Sequence, residues 1–387
     1  MTRTLFALAL IAGAGWIATL PNDVSGCGIV PRHNERVNTS DEAALIVWDD
    51  KTKTEHFIRR ATFQSTGYDF GFLVPTPSKP DLDVANDDLF HELATITAPQ
   101  IVYNEVVREV DKEFGFGCSS KFAASEAAGL GDKMTPGRAP GGVEVLGQKR
   151  VGDYDATTLV FRKGDGDDAK KGSLELAKWL VDHGYQSPPA VEKWLERYVN
   201  DEWCITAFKI ASDTKEQGPK PPHQELRAKP IRMTFKAEKP FYPYREPETE
   251  PTAQPIPRLL RVFVVAPGRF AGKLGDGTKA WPGNVVWAGP IPEGKLGGLF
   301  QQAKVANPPT AGLWLNEFED HSSPRPGTDE VYFERDADQA PVARPPHIIT
   351  NTRVIYRTPW WHGAIYFGVP AALILGVLLA WRLARRV

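Results

Sequence analysis

The residues of this 387-residue chain that could do chemistry are three cysteines, eight histidines and a few clustered acids. The thiols are Cys27, Cys118 and Cys204. In an oxidising compartment two of them can join: Cys118 and Cys204 form the natural pair if Cys27 carries a lipid, and any of three pairings is open otherwise. The histidines are dispersed, with no HExxH and no cysteine pair at zinc spacing, and His91-Glu92 lacks the second histidine. Asp165, Asp167 and Asp168 could offer oxygens to calcium, but the glycine and distal glutamate of an EF-hand loop are missing. No GxSxG occurs, and Ser212 and Lys215 match SxxK only within a polar loop. Phe114-Gly115-Phe116-Gly117 lacks the Lys-Ser/Thr of a phosphate loop. These patterns predict no catalytic residue, no metal and no cofactor.

The two ends say more. A basic start at Arg3 and an apolar run from Thr4 to Leu20 read as a secretory signal over residues 1–26, cut after Val24-Ser25-Gly26. The same bond would be cut in a bacterial lipobox, with Cys27 as the lipidated residue. Against lipidation, Pro21-Asn22-Asp23 separates the apolar run from the box. Residues 363–381 carry no charge and approach the ~20 residues a bilayer core requires. Gly363 opens this segment, Pro370 lies within it, and Trp381 ends it at headgroup level. Arg382, Arg385 and Arg386 follow, so the positive-inside rule places the tail, 382–387, in the cytoplasm. The body is then extracytoplasmic, on the periplasmic or cell-surface side of the membrane.

Between the ends, 33 Pro and 34 Gly against 3 Met favour strands, turns and extended connections over a helical bundle. With 46 basic and 48 acidic residues, no electrostatic footprint for nucleic acid exists. Residues 44–48 and 68–74 are strand-like, the second ending at Pro75-Thr76-Pro77. A short helix is predicted over 87–95, a flexible loop over 114–142, and one strand over 151–162. Ser173 is the expected N-cap of a helix that Gly184 ends. Ser187-Pro188 opens a second helix with Val191, Trp194, Leu195, Tyr198 and Val199 at amphipathic spacing. The proline-rich stretch 240–257 marks a domain boundary. The predicted fold is α+β and β-rich: an antiparallel sheet with a packed helical hairpin over 27–247, a second small β domain over 258–340, a Pro-rich stalk over 341–362, and one C-terminal transmembrane helix.

Asp69-Phe70-Gly71-Phe72-Leu73-Val74-Pro75-Thr76-Pro77, the segment 90–99, Val151-Gly152-Asp153-Tyr154, Trp179-Leu180 with Gly184-Tyr185, and Lys239-Pro240-Phe241-Tyr242-Pro243 occur in that order. Together they resemble the DUF2330 family over about residues 26–247. The resemblance implies an exported protein, often membrane-anchored at its C-terminus, and lends no catalytic residue. The leading functional expectation is a non-enzymatic envelope interaction or scaffold module, touching the lipid bilayer through one helix and an envelope protein through its body. The alternatives are a cell-envelope hydrolase whose carboxylates converge only in space, and a subunit of a membrane complex.

Overall fold

The computed structural model describes residues 24–25, 29–30, 37–65, 70–111, 142–163, 169–210, 224–227, 229–248, 258–309, 312–323, 325–357 and 367–385. Cys27, Cys118, Gly363, Arg386, the acids of 165–168, the 212–215 loop and nearly all of the predicted 114–142 loop lie outside these residues. The chain divides into two compact units, Met1–Thr97 with Gly131–Ala343, and Ala98–Leu130 with Arg344–Val387.

In the first unit, β1 (Val24–Ser25) and β2 (Ile29–Val30) precede a long hairpin of β3 (Val37–Asp49) and β4 (Thr54–Ser65). Its turn is built by Asp49, which accepts the Lys51 N–H at 3.0 Å and the Thr52 hydroxyl at 2.6 Å, while Lys53 takes the left-handed conformation. After β5 (Gly71–Thr76) and β6 (Asp81–Val84) comes α1 (Leu89–Ile96). The β7 strand (Ile101–Asp111) belongs to the second unit. A hairpin of β8 (Val143–Val151) and β9 (Tyr154–Phe161) turns at Gly152, whose φ is +60°. Then follow α2 (Ala169–Asp182), α3 (Pro189–Asn200), β10 (Cys204–Ile210), β11 (Gln224–Arg227), β12 (Ile231–Lys236) and β13 (Phe241–Tyr242). The remainder supplies β14 (Leu259–Pro267), β15 (Phe270–Leu274), β16 (Asn284–Pro290), α4 (Lys295–Gln302), β17 (Leu313–Asp320) and β18 (Val331–Arg335).

A nine-stranded sheet runs β16-β17-β14-β3-β4-β12-β6, with β1 on β3 and β11 on β4. A five-stranded sheet runs β2-β5-β10-β9-β8, and a three-stranded one β13-β18-β15. The large sheet is mixed rather than antiparallel, because β14 lies parallel to β3. Both of these strands are apolar on both faces, as a covered central strand must be. Ala44, Ile46 and Trp48 join Val262 and Val264 in one core with Phe70, just before β5, and Phe72 and Phe208 of the second sheet. Leu45, Val47, Phe263 and Val265 join Leu89 and Phe90 of α1 and Leu299 and Phe300 of α4 in another. The outer face of the five-stranded sheet packs under α2 and α3, through Leu73, Leu159, Phe161, Trp194 and Leu195. The order of layers is thus helices, sheet, sheet, helical hairpin.

Several sequence expectations change here. The 258–340 segment does not stand apart: β14, β16 and β17 build one side of the nine-stranded sheet, and β15 and β18 pair in the same unit. Residues 151–162 hold a turn and β9, the preceding Val143–Val151 forming the partner strand. Ser173 is no N-cap; α2 begins at Ala169, and the buried Ser173 hydroxyl donates to the Lys170 carbonyl at 2.9 Å. Gly184 does end the hairpin's first helix at φ +86°, with the Tyr185 N–H returning to the Leu180 carbonyl.

In the second unit, β19 (His347–Arg357) pairs in parallel with β7 along eleven residues, where a Pro-rich stalk was expected. Ile101, Tyr103 and Val107 of β7 and Ile348 and Ile355 of β19 are exposed. The last helix, α5 (Val369–Ala384), has Pro370 in its first turn, where a missing N–H costs nothing. Leu373, Ile374, Leu375, Val377, Leu378, Leu379 and Trp381 of α5 are all exposed, and the Arg385 guanidinium lies 3.6 Å from the Trp381 ring. At ~1.5 Å per residue its 16 residues reach about 24 Å. No helix among the described residues is long and apolar enough to cross a membrane.

Candidate functional site: an aromatic cleft beside the three-stranded sheet

The C-terminal turn of α3 and the start of β10 form one wall of a cleft in the first unit. Arg197, Tyr198 and Asp201 come from the last turn of α3. Glu202 takes a left-handed φ of 54°, and the Trp203 N–H returns to the Tyr198 carbonyl at 2.9 Å, which fixes the indole between helix and strand. The opposite wall is the sheet of β13, β18 and β15. Along β18, Val331 and Phe333 enter the core, so the period of two turns Tyr332 and Glu334 towards the cleft. Gly275 and Gly277, both at positive φ, shape the turn after β15, and the Gly275 N–H bonds the Glu330 carbonyl at 2.8 Å.

Two cavities of about 540 Å³ each share Trp203, Gly275, Asp276 and Tyr332 in their walls and so lie side by side as the two halves of this cleft. A chain of rings runs beneath it. Successive centroids are 4.8 Å apart for Trp194 and Tyr198, 5.6 Å for Tyr198 and Trp203, 5.3 Å for Trp203 and Phe241, and 6.0 Å for Phe241 and Tyr332. Trp203 and Tyr332 are only half-buried and present ring surface to the opening.

The charged groups around the rings are mostly engaged with each other. Arg197 reaches Asp201 at 3.4 Å and Asp329 at 3.6 Å. Lys239 and Lys273 grip Glu334 at 2.6 and 2.8 Å, and these bonds hold its carboxyl down to about 2. Glu330 is buried; it accepts the Tyr198 hydroxyl on Oε1 and the Arg245 N–H on Oε2 at 3.2 Å, and burial pushes its pKa up. Arg245 differs from these. Its Nη1 is buried and has no hydrogen-bond partner.

Glu330 has a counterpart in Glu55 of β4. Glu55 is buried, accepts the Phe241 N–H at 3.0 Å, leaves Oε1 without a partner, and has its pKa raised well above the usual range by burial. These two carboxyls therefore pin both ends of the 241–245 strap that closes the cleft. Deeper in the molecule, Glu42 binds Arg59 Nε at 2.5 Å and Arg325 Nη1 at 3.2 Å, and Arg258 forks onto Glu246 at 2.6 and 3.0 Å. Burial alone would raise Glu42, but Arg59 and Arg325 bring it from 4.5 down to about 2. This network ties β3 and β4 to residues 246 and 258 and lines neither cavity.

None of the sequence-singled residues meets another in this cleft. Cys204 is buried at the start of β10, its thiol pKa raised by burial, and it makes no disulfide with a described cysteine. Pro370, Trp381 and Arg382 lie on α5 in the other unit, and Arg385 caps its C-terminus. Among the described residues no three His, Cys, Asp or Glu side chains group to hold a metal ion. The cleft residues Trp203, Arg245, Glu330 and Tyr332 carried no chemical motif. The available signal was structural: the 239–243 proline-aromatic motif and the strand alternation of 331–334.

The fold and cleft define a β-rich α+β module with a helical hairpin on one sheet. Residues 21–296 match the model of the family described as "Uncharacterized protein conserved in bacteria (DUF2330)", and the chain belongs to that family. No curated protein matches. Among solved structures the chain is similar to a mutated baculovirus P35 after caspase cleavage, at 9% identity and a TM-score of 0.28, covering 78% of this chain and 98% of that one. A likeness that low carries no argument about fold or function.

Proposed function

We propose that this protein is a membrane-tethered extracytoplasmic module that holds an envelope component in the cleft without chemically altering it. The observation that carries the reading is the cleft itself, a concave site with half-buried aromatic rings in its wall and most of its carboxylates already held by partners within the fold. A general acid or base needs a lone pair or proton facing the substrate. Here both Glu330 oxygens accept bonds from within the fold, Arg197 occupies Asp201 and Asp329, and two lysines occupy Glu334. Tethering is supported by α5, whose residues 371–381 are uncharged, exposed and mostly apolar all round its axis, as suits lipid rather than water. The uncharged sequence begins at Gly363, and Arg382, Arg385 and Arg386 favour a cytoplasmic end. The signal over 1–26 demands the same orientation, with Cys27 next to the scissile bond.

One observation favours a second reading, an envelope hydrolase. Glu330, with its raised pKa, shares the first cavity with Asp201, Asp276 and Asp329. The two readings separate in intact cells carrying a photo-crosslinking amino acid in place of Trp203, with the exposed Lys178 on α2 as the control position. A binding module gives a discrete adduct from position 203 and none from position 178. Equal adducts, or none, would remove the cleft as the functional site. Loss of an envelope-polymer cleaving activity in Glu330→Gln, with the adduct retained, would establish the hydrolase instead.

A further inference from the structure

Resting on the binding reading above, we propose that the cleft takes an uncharged oligosaccharide, stacked by its C–H faces on Trp203 and Tyr332. Three properties of the cleft select this class. First, its charges come near to cancelling: in the first cavity Arg197, Arg245 and Lys279 stand against four carboxyls, of which Glu330 is biased towards its neutral form by burial. A polyanion would meet the acids and a polycation the bases, so neither gains by entering. Secondly, the walls are too polar for an apolar peptide, while the half-buried rings of Trp203 and Tyr332, held apart by the buried Phe241 that both touch, line both cavities. Sugar rings pair one apolar face with hydroxyls at the rim, which suits aromatic rings bordered by Arg, Lys and Asp. Thirdly, Arg245 lines the first cavity and its buried Nη1 lacks an acceptor, which a hydroxyl or acetamido oxygen would supply without introducing charge once the guanidinium turns towards it. Each cavity of about 540 Å³ lies within the ~300–1,000 Å³ that encloses a drug-sized ligand, and their position on either side of shared wall residues suits a chain of rings over a single one.

The test is calorimetric titration of the full chain in a lipid nanodisc with an N-acetylglucosamine tetramer and, separately, a glucose tetramer. Saturable binding of at least one, unchanged by added salt, is the expected result. Trp203→Ala should weaken it by at least about tenfold. Because Trp203 also touches the core, Thr278→Trp serves as the second variant; it stands exposed on the rim and should block the cleft without loosening the fold. Absence of binding by both tetramers, binding that survives Thr278→Trp, or salt-sensitive binding of an acidic peptide in their place overturns the assignment. A crosslinked adduct from position 203 with no glycan binding would leave the binding module standing and remove only the glycan. Shortening of a bound tetramer would keep the glycan and refute the non-enzymatic reading.

Discussion

Buried carboxyls with opposite pKa shifts govern how this protein responds to pH. Glu55 and Glu330 have raised pKa values, so the stability they contribute is fully present below the ordinary carboxylate range and is lost as pH rises through their folded values. Glu42 behaves in the other sense: its contribution is present above 4.5 and disappears as pH falls towards about 2. Denaturant midpoints measured across pH should therefore decline at both limits. Glu55→Gln keeps the shape and the acceptor for Phe241, and should flatten the decline at high pH; an unaltered slope would mean that Glu55 is not buried as a neutral acid. Glu42→Ala leaves Arg59 and Arg325 without their shared carboxylate, and we expect a loss of about 3–5 kcal/mol by equilibrium unfolding. A loss within experimental error would show that the network relaxes around water. None of these acids was legible as special in the sequence, because an isolated Glu within an alternating strand has the same signature whether it faces solvent or a second sheet.

Helices with strong periodicity were the readable elements. Val191, Trp194, Leu195, Tyr198 and Val199 are buried on α3 as their spacing predicts, and α1 differs from its predicted span only at its ends. The parallel pairings of β3 with β14 and β7 with β19 could not be read, since they join segments far apart in sequence and no turn announces them. Ser173 failed as a cap because α2 starts a turn earlier and buries that serine against the sheet. Close approach of the hairpin to the sheet depends on Gly172, where an added Cβ would stand 2.5 Å from Val199 Cγ1 and 2.6 Å from Phe161 Cδ1. Gly172→Ala should thus lower stability by ~1–3 kcal/mol in a thermal or chemical melt despite the better helix propensity of alanine. Stabilisation by alanine would mean that the hairpin can lift away from the sheet freely.

At the scale of the whole chain, the proline-rich 240–257 stretch looked like a linker between domains, because composition alone cannot tell a linker from a strap. Here Phe241 and Tyr242 pair with β18, and residues beyond it complete a sheet begun at β3. The cleft exists only because these distant segments meet, which is why its residues carried no motif. Removing everything after Arg357 should release the protein from membranes into the soluble fraction; retention in the membrane pellet would point to lipid on Cys27. The most direct test of a cleft displayed outside a tethering membrane uses Thr278→Cys on the cleft rim, exposed in the fold. Intact cells or spheroplasts are treated with a membrane-impermeant maleimide, alongside the unsubstituted chain, and their membranes are washed with alkaline carbonate. We predict strong labelling before lysis, in the substituted chain alone, with the label staying in the washed membrane pellet. Labelling only after lysis, or label recovered in the soluble fraction, would contradict the account.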